Sequence, residues 1–385
     1  MVRRAPLETV APHRAEAKPL QSEVLDGPAL VYCQGAFGTT NGKTAHGLVR
    51  RTRRYRVLGV IDSHLAGQDA GLVLDGRPSG IPIFGGVEEA VSELRRQGEE
   101  PRFLVIGLAP DGGRLGESAR RDVLAAIRLG LNIDSGLHDF LCEDPEIVRL
   151  AEEKGVRLRD IRKPPPRSQL HFFSGKIREV TSFRVAVLGT DSAVGKRTTA
   201  WLLTDALNEM GVKAEFVGTG QTAWMQGARF CVILDSLVND FVSGEIEHAV
   251  WSAWNEVRPE VIVIEGQGSL LNPAYPGGFE ILAAARPDAI ILQHAPARRE
   301  YDGFPGYPIH PLNLQIELIE KLSGKPVVAL SINHEGLAKE EVPYVCRALE
   351  AATGLPALDV LLEGASRLAD VIRRLKERSS AGARN

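Results

Sequence analysis

The stretch GTDSAVGKRTTA, residues 189–200, has the residue types of a phosphate-binding loop without its standard spacing. Five residues rather than four separate Gly189 from the Gly195–Lys196 pair, and Arg197 stands where a serine or threonine normally holds Mg²⁺. The stretch follows an apolar strand pattern and opens a helical one. Backbone N–H groups at such a junction converge on an anion, and a lysine at Lys196 would reach its oxygens. The sequence therefore predicts a site for a phosphorylated ligand.

Arg197 decides between two interpretations of this loop. Arginine has no acceptor atom and cannot ligate Mg²⁺. Either Thr198 replaces the missing ligand and the loop binds ATP with Mg²⁺, or Arg197 neutralises phosphate directly. A loop that only holds a pyrophosphate, as in coenzyme A, needs no hydrolytic metal, and we favour this interpretation. The residues predicted to contact the phosphates are Gly189, Thr190, Asp191, Ser192, Ala193, Val194, Gly195, Lys196, Arg197, Thr198 and Thr199.

Polar residues follow other apolar strands whose carboxyl ends should meet at the same sheet edge. Glu265 ends the strand in VIVIEGQGSLL and could orient a substrate amine, act as a base, hold a metal-bound water or cap a helix. Asn333 ends another strand and is suited either to reading a base edge or to closing a turn. A third strand leads into FVGTGQTAWMQG. The residues of that segment predicted to line the ligand cleft are Gly218, Thr219, Gly220, Gln221 and Thr222.

Two further residues are candidates for acid–base chemistry. Asp235 ends the apolar run 229–235, where it could contact a metal or an amine. His138, in IDSGLHDFL, is expected to face a cleft between domains, as an acid or base or as a hydrogen-bonded structural histidine. We predict Glu265, Asp235 and His138 as the catalytic residues and predict no metal ligand set.

Short apolar runs alternate with helical patterns along the whole chain, which is typical of parallel α/β architecture. Near-continuous apolar strands indicate that helices cover both faces of each sheet. Three consecutive prolines in RKPPPRSQL, residues 162–170, interrupt the alternation. The sequence therefore predicts two doubly wound parallel-sheet α/β domains. These comprise an N-terminal Rossmann-like domain at 28–165 and a C-terminal P-loop NTPase-like domain at 166–377, with mobile ends at 1–27 and 378–385.

The first domain contains a weaker phosphate-loop pattern. YCQGAFGTTNGKTAHG, residues 32–47, follows a strand and opens a helix, but its glycines fit neither a P-loop nor GxGxxG. Asp62 ends the next strand, where a dinucleotide-binding domain would contact a ribose. The alternatives are a second cofactor site and a scaffold with no ligand.

Composition limits the classes of partner. The net charge of −3, with 25% charged and 44% hydrophobic residues, argues against broad nucleic-acid binding and favours a small-molecule substrate. We interpret the basic run 50–54 as a solvated helix face. No apolar run is long enough to cross a membrane. Four cysteines lie far apart and suit buried thiols in a reducing cytosol, so we expect a cytoplasmic protein.

The loop and its neighbours resemble two known groups. With its extra residue, the loop GTDSAVGK resembles the phosphate loops of the dethiobiotin synthetase branch of P-loop proteins. From about residue 28 to 375 the chain resembles the family catalogued as domain of unknown function 1611, through QGAFGTTNGKTAHGL, GVIDSHLAG, IDSGLHDFL, DIRKPP, GTDSAVGKRTTA, GTGQTAWM, DSLVNDFVSGEIE, EGQGSLLNPAY and SINHEGL. That resemblance implies a Rossmann-like domain followed by a P-loop domain.

One branch of the family implies an activity, the transfer of acetyl from acetyl-CoA to the amine of D-glutamate. The phosphates of coenzyme A would then lie in the P-loop, with the acceptor nearer the interdomain face. The chain departs from the family at LLNPA, where Asn272 replaces an expected histidine, which leaves the acceptor open. The alternatives are an ATP-dependent kinase or ligase and a nucleotide-sensing protein. The apolar helix faces would suit a homo-oligomer.

Overall fold

The computed structural model describes residues 26–382, and its first sheet has six parallel strands. The strands are β1 (Gly27–Tyr32), β2 (Tyr55–Ile61), β3 (Ile83–Phe84), β4 (Phe103–Ile106), β5 (Asn132–Ser135) and β6 (Leu158–Asp160). Their order, β3-β2-β1-β4-β5-β6, is the doubly wound order of dinucleotide-binding domains. The helices of this domain are α1 (Lys43–Arg50), α2 (Ala70–Asp75), α3 (Val87–Arg96), α4 (Glu117–Arg128) and α5 (Pro145–Lys154).

The second sheet has seven parallel strands in the order β13-β12-β11-β7-β10-β8-β9. The strands are β7 (Phe183–Gly189), β8 (Ala214–Gly218), β9 (Phe230–Cys231), β10 (Val261–Glu265), β11 (Ala289–His294), β12 (Val327–Ile332) and β13 (Ala357–Leu358). The helices are α6 (Lys196–Glu209), α7 (Gln221–Met225), α8 (Asn239–Val257), α9 (Leu312–Ser323), α10 (Val342–Thr353), α11 (Val360–Glu363) and α12 (Ser366–Gly382). The predicted fold class is confirmed.

Burial on both faces explains why the strands have continuous apolar sequences. Along β7, Val185 and Val187 pack into a core shared with α6 and α12, whereas Ala186 and Leu188 pack into a core shared with α8. Successive side chains of a strand point to opposite faces, so a strand covered on both sides needs an apolar residue at every position. The same division holds in the first sheet, between the α3–α5 face and the α1–α2 face.

The two sheets are separated in sequence by the segment that contains the three prolines. The described chain differs from our expectation at its far end, where α12 continues to Gly382, into the segment predicted to be a mobile tail. The rest of the predicted mobile ends, residues 1–25 and 383–385, lies outside the described residues. No helix between residues 26 and 382 is long and apolar enough to span a membrane.

The basic run 50–54 is an interdomain contact, and its prediction as a solvated helix face was wrong. Helix α1 ends at Arg50. The Arg51 guanidinium lies 4.2 Å from the ring centroid of Trp201 and donates to the Asp205 carboxylate at 2.8 Å, both on α6. Arginine side chains stack on aromatic rings while they pair with carboxylates, so this run joins the two domains.

The cysteines also differ in part from the prediction of buried thiols. Cys33 and Cys346 are buried, Cys231 is half-buried, and Cys142 is exposed. The Cys142 sulfur accepts a hydrogen bond from Lys163 Nζ at 2.9 Å.

Candidate active site

The predicted phosphate loop connects β7 to α6, as the strand and helix patterns require. Helix α6 begins at Lys196, and two residues of the loop have left-handed backbone, Ala193 with φ 51° and Gly195 with φ 108°. A side chain at Gly189 would come within 2.9 Å of the Lys196 side chain, so the lysine folds back over the start of the loop. The N-terminus of α6 and its preceding amides therefore form the cradle that suits an anion.

Lys196 is buried in this cradle. Its Nζ donates to the backbone carbonyls of Asp191, at 2.6 Å, and Gly268, at 2.7 Å. Burial lowers the pKa of Lys196 to about 7, against the opposing charges of Asp191 and Glu265. A bound anion would favour the charged form, so the lysine is suited to gain its proton together with a ligand.

Asp191, predicted to contact phosphate, instead holds the loop in place. Its side chain is fully buried and pairs with the Arg298 guanidinium at 2.9 Å. It also accepts hydrogen bonds from Asn272 Nδ2 at 2.7 Å and from the backbone N–H groups of Ser192, at 2.7 Å, and Asp302, at 2.9 Å. The carboxylate is therefore committed to the protein. Sequence reasoning did not find Arg298 as its partner, because the two residues are far apart along the chain.

Several other side chains in and around the loop also make hydrogen bonds within the protein. The hydroxyl of Thr190 lies 3.0 Å from His294 Nδ1, and that of Thr199 donates to Gln293 Oε1 at 2.5 Å. Asn333 Nδ2 donates to the Val194 carbonyl at 3.1 Å, and its Oδ1 accepts from the Glu335 N–H at 3.0 Å. Both ends of the Asn333 amide are thus used, which supports its interpretation as a residue that closes a turn.

Asn272, at the departure from the family pattern, has the same kind of role. Its Oδ1 accepts from the backbone N–H groups of Ala274, at 2.9 Å, and Tyr275, at 2.8 Å, while its Nδ2 donates to Asp191. An amide supplies this combination of acceptor and donor, so Asn272 joins the loop after β10 to the phosphate loop.

Arg197 extends towards the first domain. Its guanidinium donates to the Lys43 carbonyl at 3.2 Å, and its Nε is buried without a hydrogen-bond partner among the described residues. A side chain at Gly47 of α1 would come within 2.9 Å of this guanidinium, so a glycine makes room for it. Burial lowers the pKa of Arg197. The arginine therefore connects the start of α6 to the other domain.

The segment 218–222, predicted to line the ligand cleft, lies partly beside Glu265 and partly at the contact between the two domains. The Thr219 N–H donates to Glu265 Oε2 at 2.9 Å, and Gly220 precedes α7. The Thr222 hydroxyl lies 2.8 Å from the hydroxyl of Thr44 on α1, and Gln221 packs against Gly136 of the first domain. Gln221 and Thr222 are therefore interdomain contacts, whereas Gly218, Thr219 and Gly220 adjoin Glu265.

Glu265 lies at the carboxyl end of β10, next to the phosphate loop. Its side chain is buried, and burial raises its pKa, against the opposing charges of Arg197 and Lys196. The negative charge of Asp235 raises it further. The structure thus brings Glu265, Lys196, Arg197 and Asp235 into one electrostatic neighbourhood.

Asp235 occupies a different kind of element from the one predicted. Strand β9 covers only Phe230–Cys231, and Asp235 lies in the 3₁₀ turn Leu234–Ser236. Its half-exposed carboxylate pairs with the guanidinium of Arg162, whose Nε donates to the Gly136 carbonyl at 2.5 Å. This ion pair links the two domains.

His138 of the first domain lies close enough to Arg162 and Asp235 for their charges to act on it. It is exposed, and its backbone N–H donates to the Gly113 carbonyl at 2.8 Å. Partial burial and the charge of Arg162 lower its pKa, and the charge of Asp235 opposes them. His138 is therefore predominantly neutral at neutral pH, with a ring nitrogen able to accept a proton.

Asp62, the residue considered for a second cofactor site, is buried and accepts from the backbone N–H groups of Phe37, at 2.9 Å, and His64, at 3.0 Å. These bonds hold the loops after β1 and β2, which supports the scaffold interpretation. No group of three or more histidine, cysteine, aspartate or glutamate residues between residues 26 and 382 is arranged to hold a metal ion.

The fold and site define a two-domain protein with a Rossmann-like domain and a P-loop domain. Residues 63–164 match the family model described as Domain of unknown function (DUF1611_N) Rossmann-like domain, and residues 171–369 match Domain of unknown function (DUF1611_C) P-loop domain. The chain belongs to the DUF1611 family, as its motifs predicted.

Two curated relatives are named D-glutamate N-acetyltransferase. The one from Tritonibacter scottomollicae is 31% identical over 295 residues, which covers 75% of this chain and 86% of the relative. The one from a Pseudoalteromonas species is 32% identical over 273 residues, which covers 68% of this chain and 79% of the relative. The crystal structure of a DUF1611 family protein from Anabaena variabilis is also similar, with 30% identity and a TM-score of 0.81 over 90% of this chain and 99% of that one.

Replacement of Asp191 should expose its structural role. In Asp191→Asn, the Arg298 guanidinium loses its buried carboxylate, so we expect the P-loop domain to lose about 3–5 kcal/mol of unfolding free energy. Urea unfolding followed by tryptophan fluorescence reports on this domain, because all four tryptophans lie in it. The control Glu317→Gln removes an exposed pair with Lys321 in the same domain and should cost about 1 kcal/mol or less. Equal losses in the two variants would contradict the assignment.

Proposed function

We propose that this protein is an N-acetyltransferase that moves acetyl from acetyl-CoA to the amine of an acidic amino acid, with D-glutamate as the first acceptor to test. The observation that carries the proposal is that the two domains supply complementary groups. An anion-binding loop lies in one domain, and a histidine with a lowered pKa lies in the other. The names of the two curated relatives support the same reaction class.

The diphosphate of coenzyme A fits the loop by charge and by shape. The α6 N-terminus and Lys196 supply positive charge, and the left-handed turn at Gly195 exposes backbone amides. Arg197 replaces the usual magnesium ligand, which suits a ligand that is held and not hydrolysed. When bound, acetyl-CoA would supply the reactive thioester.

The reacting groups belong away from the phosphate loop. The pantetheine arm separates the thioester from the diphosphate, so a residue beside Lys196 is remote from the acyl carbon when the arm is extended. Asp235 pairs with Arg162, and the charges of both act on the exposed His138. We therefore assign His138 as the base, and Asp235 and Arg162 as the charged groups that act on its pKa.

The chemistry requires one proton acceptor. The acceptor amine attacks the thioester carbonyl, the C–N bond forms, and the C–S bond breaks to release the thiolate of coenzyme A. His138 accepts the proton that the nitrogen loses and returns it to the leaving sulfur.

A direct assay tests the reaction class. Purified protein is incubated with acetyl-CoA and a panel of D- and L-amino acids, and free thiol and N-acetyl product are measured. We expect thiol release only with an acidic amino acid, in a 1:1 ratio to product. A parallel reaction with ATP, Mg²⁺ and small acids tests the kinase or ligase alternative, in which Thr198 would replace the missing ligand. Production of ADP without acetyl transfer would reject our proposal.

The catalytic base can be identified from pH profiles. In the native protein, kcat/KM should rise with pH through a pKa below the usual histidine value, because only neutral His138 accepts a proton. His138→Gln should lower kcat/KM by about 10²–10⁴-fold and abolish this limb. The control His310→Gln alters an exposed histidine that lies 2.9 Å from the Tyr301 hydroxyl, and should keep the limb. If Glu265→Gln, and not His138→Gln, removes the limb, the base is Glu265.

The pKa of Lys196 predicts how the affinity for coenzyme A depends on pH. Its pKa of about 7 in the ligand-free protein means that it loses its proton as pH rises above 7. An anion binds the protonated form, so the Kd of coenzyme A should rise up to about tenfold per pH unit above 7. Calorimetry between pH 7 and 9 measures this slope. Lys196→Arg keeps a permanent charge and should flatten the slope; an unchanged slope would separate the lysine from the donor.

A further inference from the structure

A cavity of about 680 Å³ opens at the edge of the P-loop-domain sheet opposite the phosphate loop. Its walls are the segment that leads into β7, the π-helical turn Ile281–Ala285 with the residues that follow it, and the turn between α9 and β12. These are the amino ends of the strands, whereas the phosphate loop lies at the carboxyl ends. The cavity is therefore separate from the proposed active site.

The cavity carries an excess of positive charge. Arg178, Arg184, Arg286 and Lys325 line it, with Asp288 as the one carboxylate. Asp288 is already used, because it pairs with Arg184 at 3.2 Å and lies 3.9 Å from Lys325. The guanidinium groups of Arg178 and Arg286 make no ion pair or hydrogen bond with any residue between 26 and 382. Unpaired cations on a concave surface attract an anion.

Apolar residues form the rest of the lining. Ile177, Val180 and Leu282 are buried beneath it, and the rim exposes 43% of Phe279 and 55% of Leu322. A purely inorganic anion would leave this apolar surface in water. A ligand with both an anionic group and an apolar body would cover both parts.

The backbone beside the cavity has two uncommon features. The turn Ile281–Ala285 is π-helical, and Arg286 has left-handed backbone, with φ 48°, although it is not glycine. Such conformations cost free energy and are concentrated at functional sites. Here they set the direction in which Arg286 leaves the chain.

We propose that this cavity binds a small amphipathic anion, whose carboxylate or phosphate meets Arg178 and Arg286 and whose apolar body rests on Leu282 and Phe279. The proposal does not depend on the acetyltransferase reaction, because the two sites lie at opposite sheet edges.

Calorimetric titration of the full chain with four matched probes tests the site. Hexanoate and hexyl phosphate carry both parts of the ligand, hexanol carries only the apolar part, and inorganic phosphate carries only the charge. We expect at least one of the two amphipathic anions to bind at least about tenfold more tightly than hexanol and inorganic phosphate, and its identity distinguishes a carboxylate from a phosphate ligand. Lys196→Ala should leave this binding unchanged. Loss of binding in that variant, or equal binding of inorganic phosphate, would overturn the proposal.

The double variant Arg178→Ala, Arg286→Ala should weaken binding of the amphipathic anion about tenfold or more, because it removes two charged donors. Arg258→Ala is the matched control, since Arg258 also has left-handed backbone, with φ 51°, but lies over Trp254 away from the cavity. Equal effects of the two changes would contradict the assignment. A change of oligomeric state in the double variant, measured by sedimentation velocity, would show that the cavity belongs to a contact between copies of the chain and would also overturn it.

Discussion

A fully buried carboxylate, that of Asp191, fixes the geometry on which the P-loop domain depends. A buried charge is tolerated only when it is paired and hydrogen-bonded, and Asp191 obtains its partners from three loops. Arg298 and the Asp302 N–H come from the segment after β11, Asn272 from the segment after β10, and Ser192 from the phosphate loop itself. The loops after three neighbouring strands are thus held by one carboxylate. Because these loops surround Lys196, the cradle is preorganised.

The same principle extends to the interface between the domains, where small residues let polar groups meet. Gly47 leaves space for Arg197, and the hydroxyls of Thr44 and Thr222 lie 2.8 Å apart. Arg197 belongs to the first turn of α6, so a ligand that moves this turn also acts on α1 through the Lys43 carbonyl. The phosphate loop and the first domain are therefore mechanically connected. The proposed acetyl transfer, with its donor in one domain and its acceptor between the two, would use such a connection.

The sequence predicted the sheets well, because parallel strands buried on both faces are apolar at every position and their ends are followed by glycines or polar residues. It also predicted the phosphate loop, whose function depends on local order. It did not predict the partners of Asp191, since ion pairs between residues a hundred positions apart leave no local pattern. The placement of Asp235 failed for a related reason: the apolar run 229–235 continues past β9 because its later residues pack under α8, not because they are in a strand. The basic run 50–54 was misinterpreted because its positive charge is compatible both with exposure to solvent and with stacking on an aromatic side chain of the other domain.

Burial shifts the two central ionisable groups towards neutrality. It lowers the pKa of Lys196 and raises that of Glu265, although each lies close enough to the other to favour its charged form. Desolvation thus exceeds the mutual attraction of the pair in the ligand-free protein. A diphosphate would favour the charged form of Lys196, while its own negative charge would oppose the ionisation of Glu265. A neutral carboxyl cannot accept a proton, so the base of the proposed acetyl transfer is better placed outside this pocket, at the exposed His138.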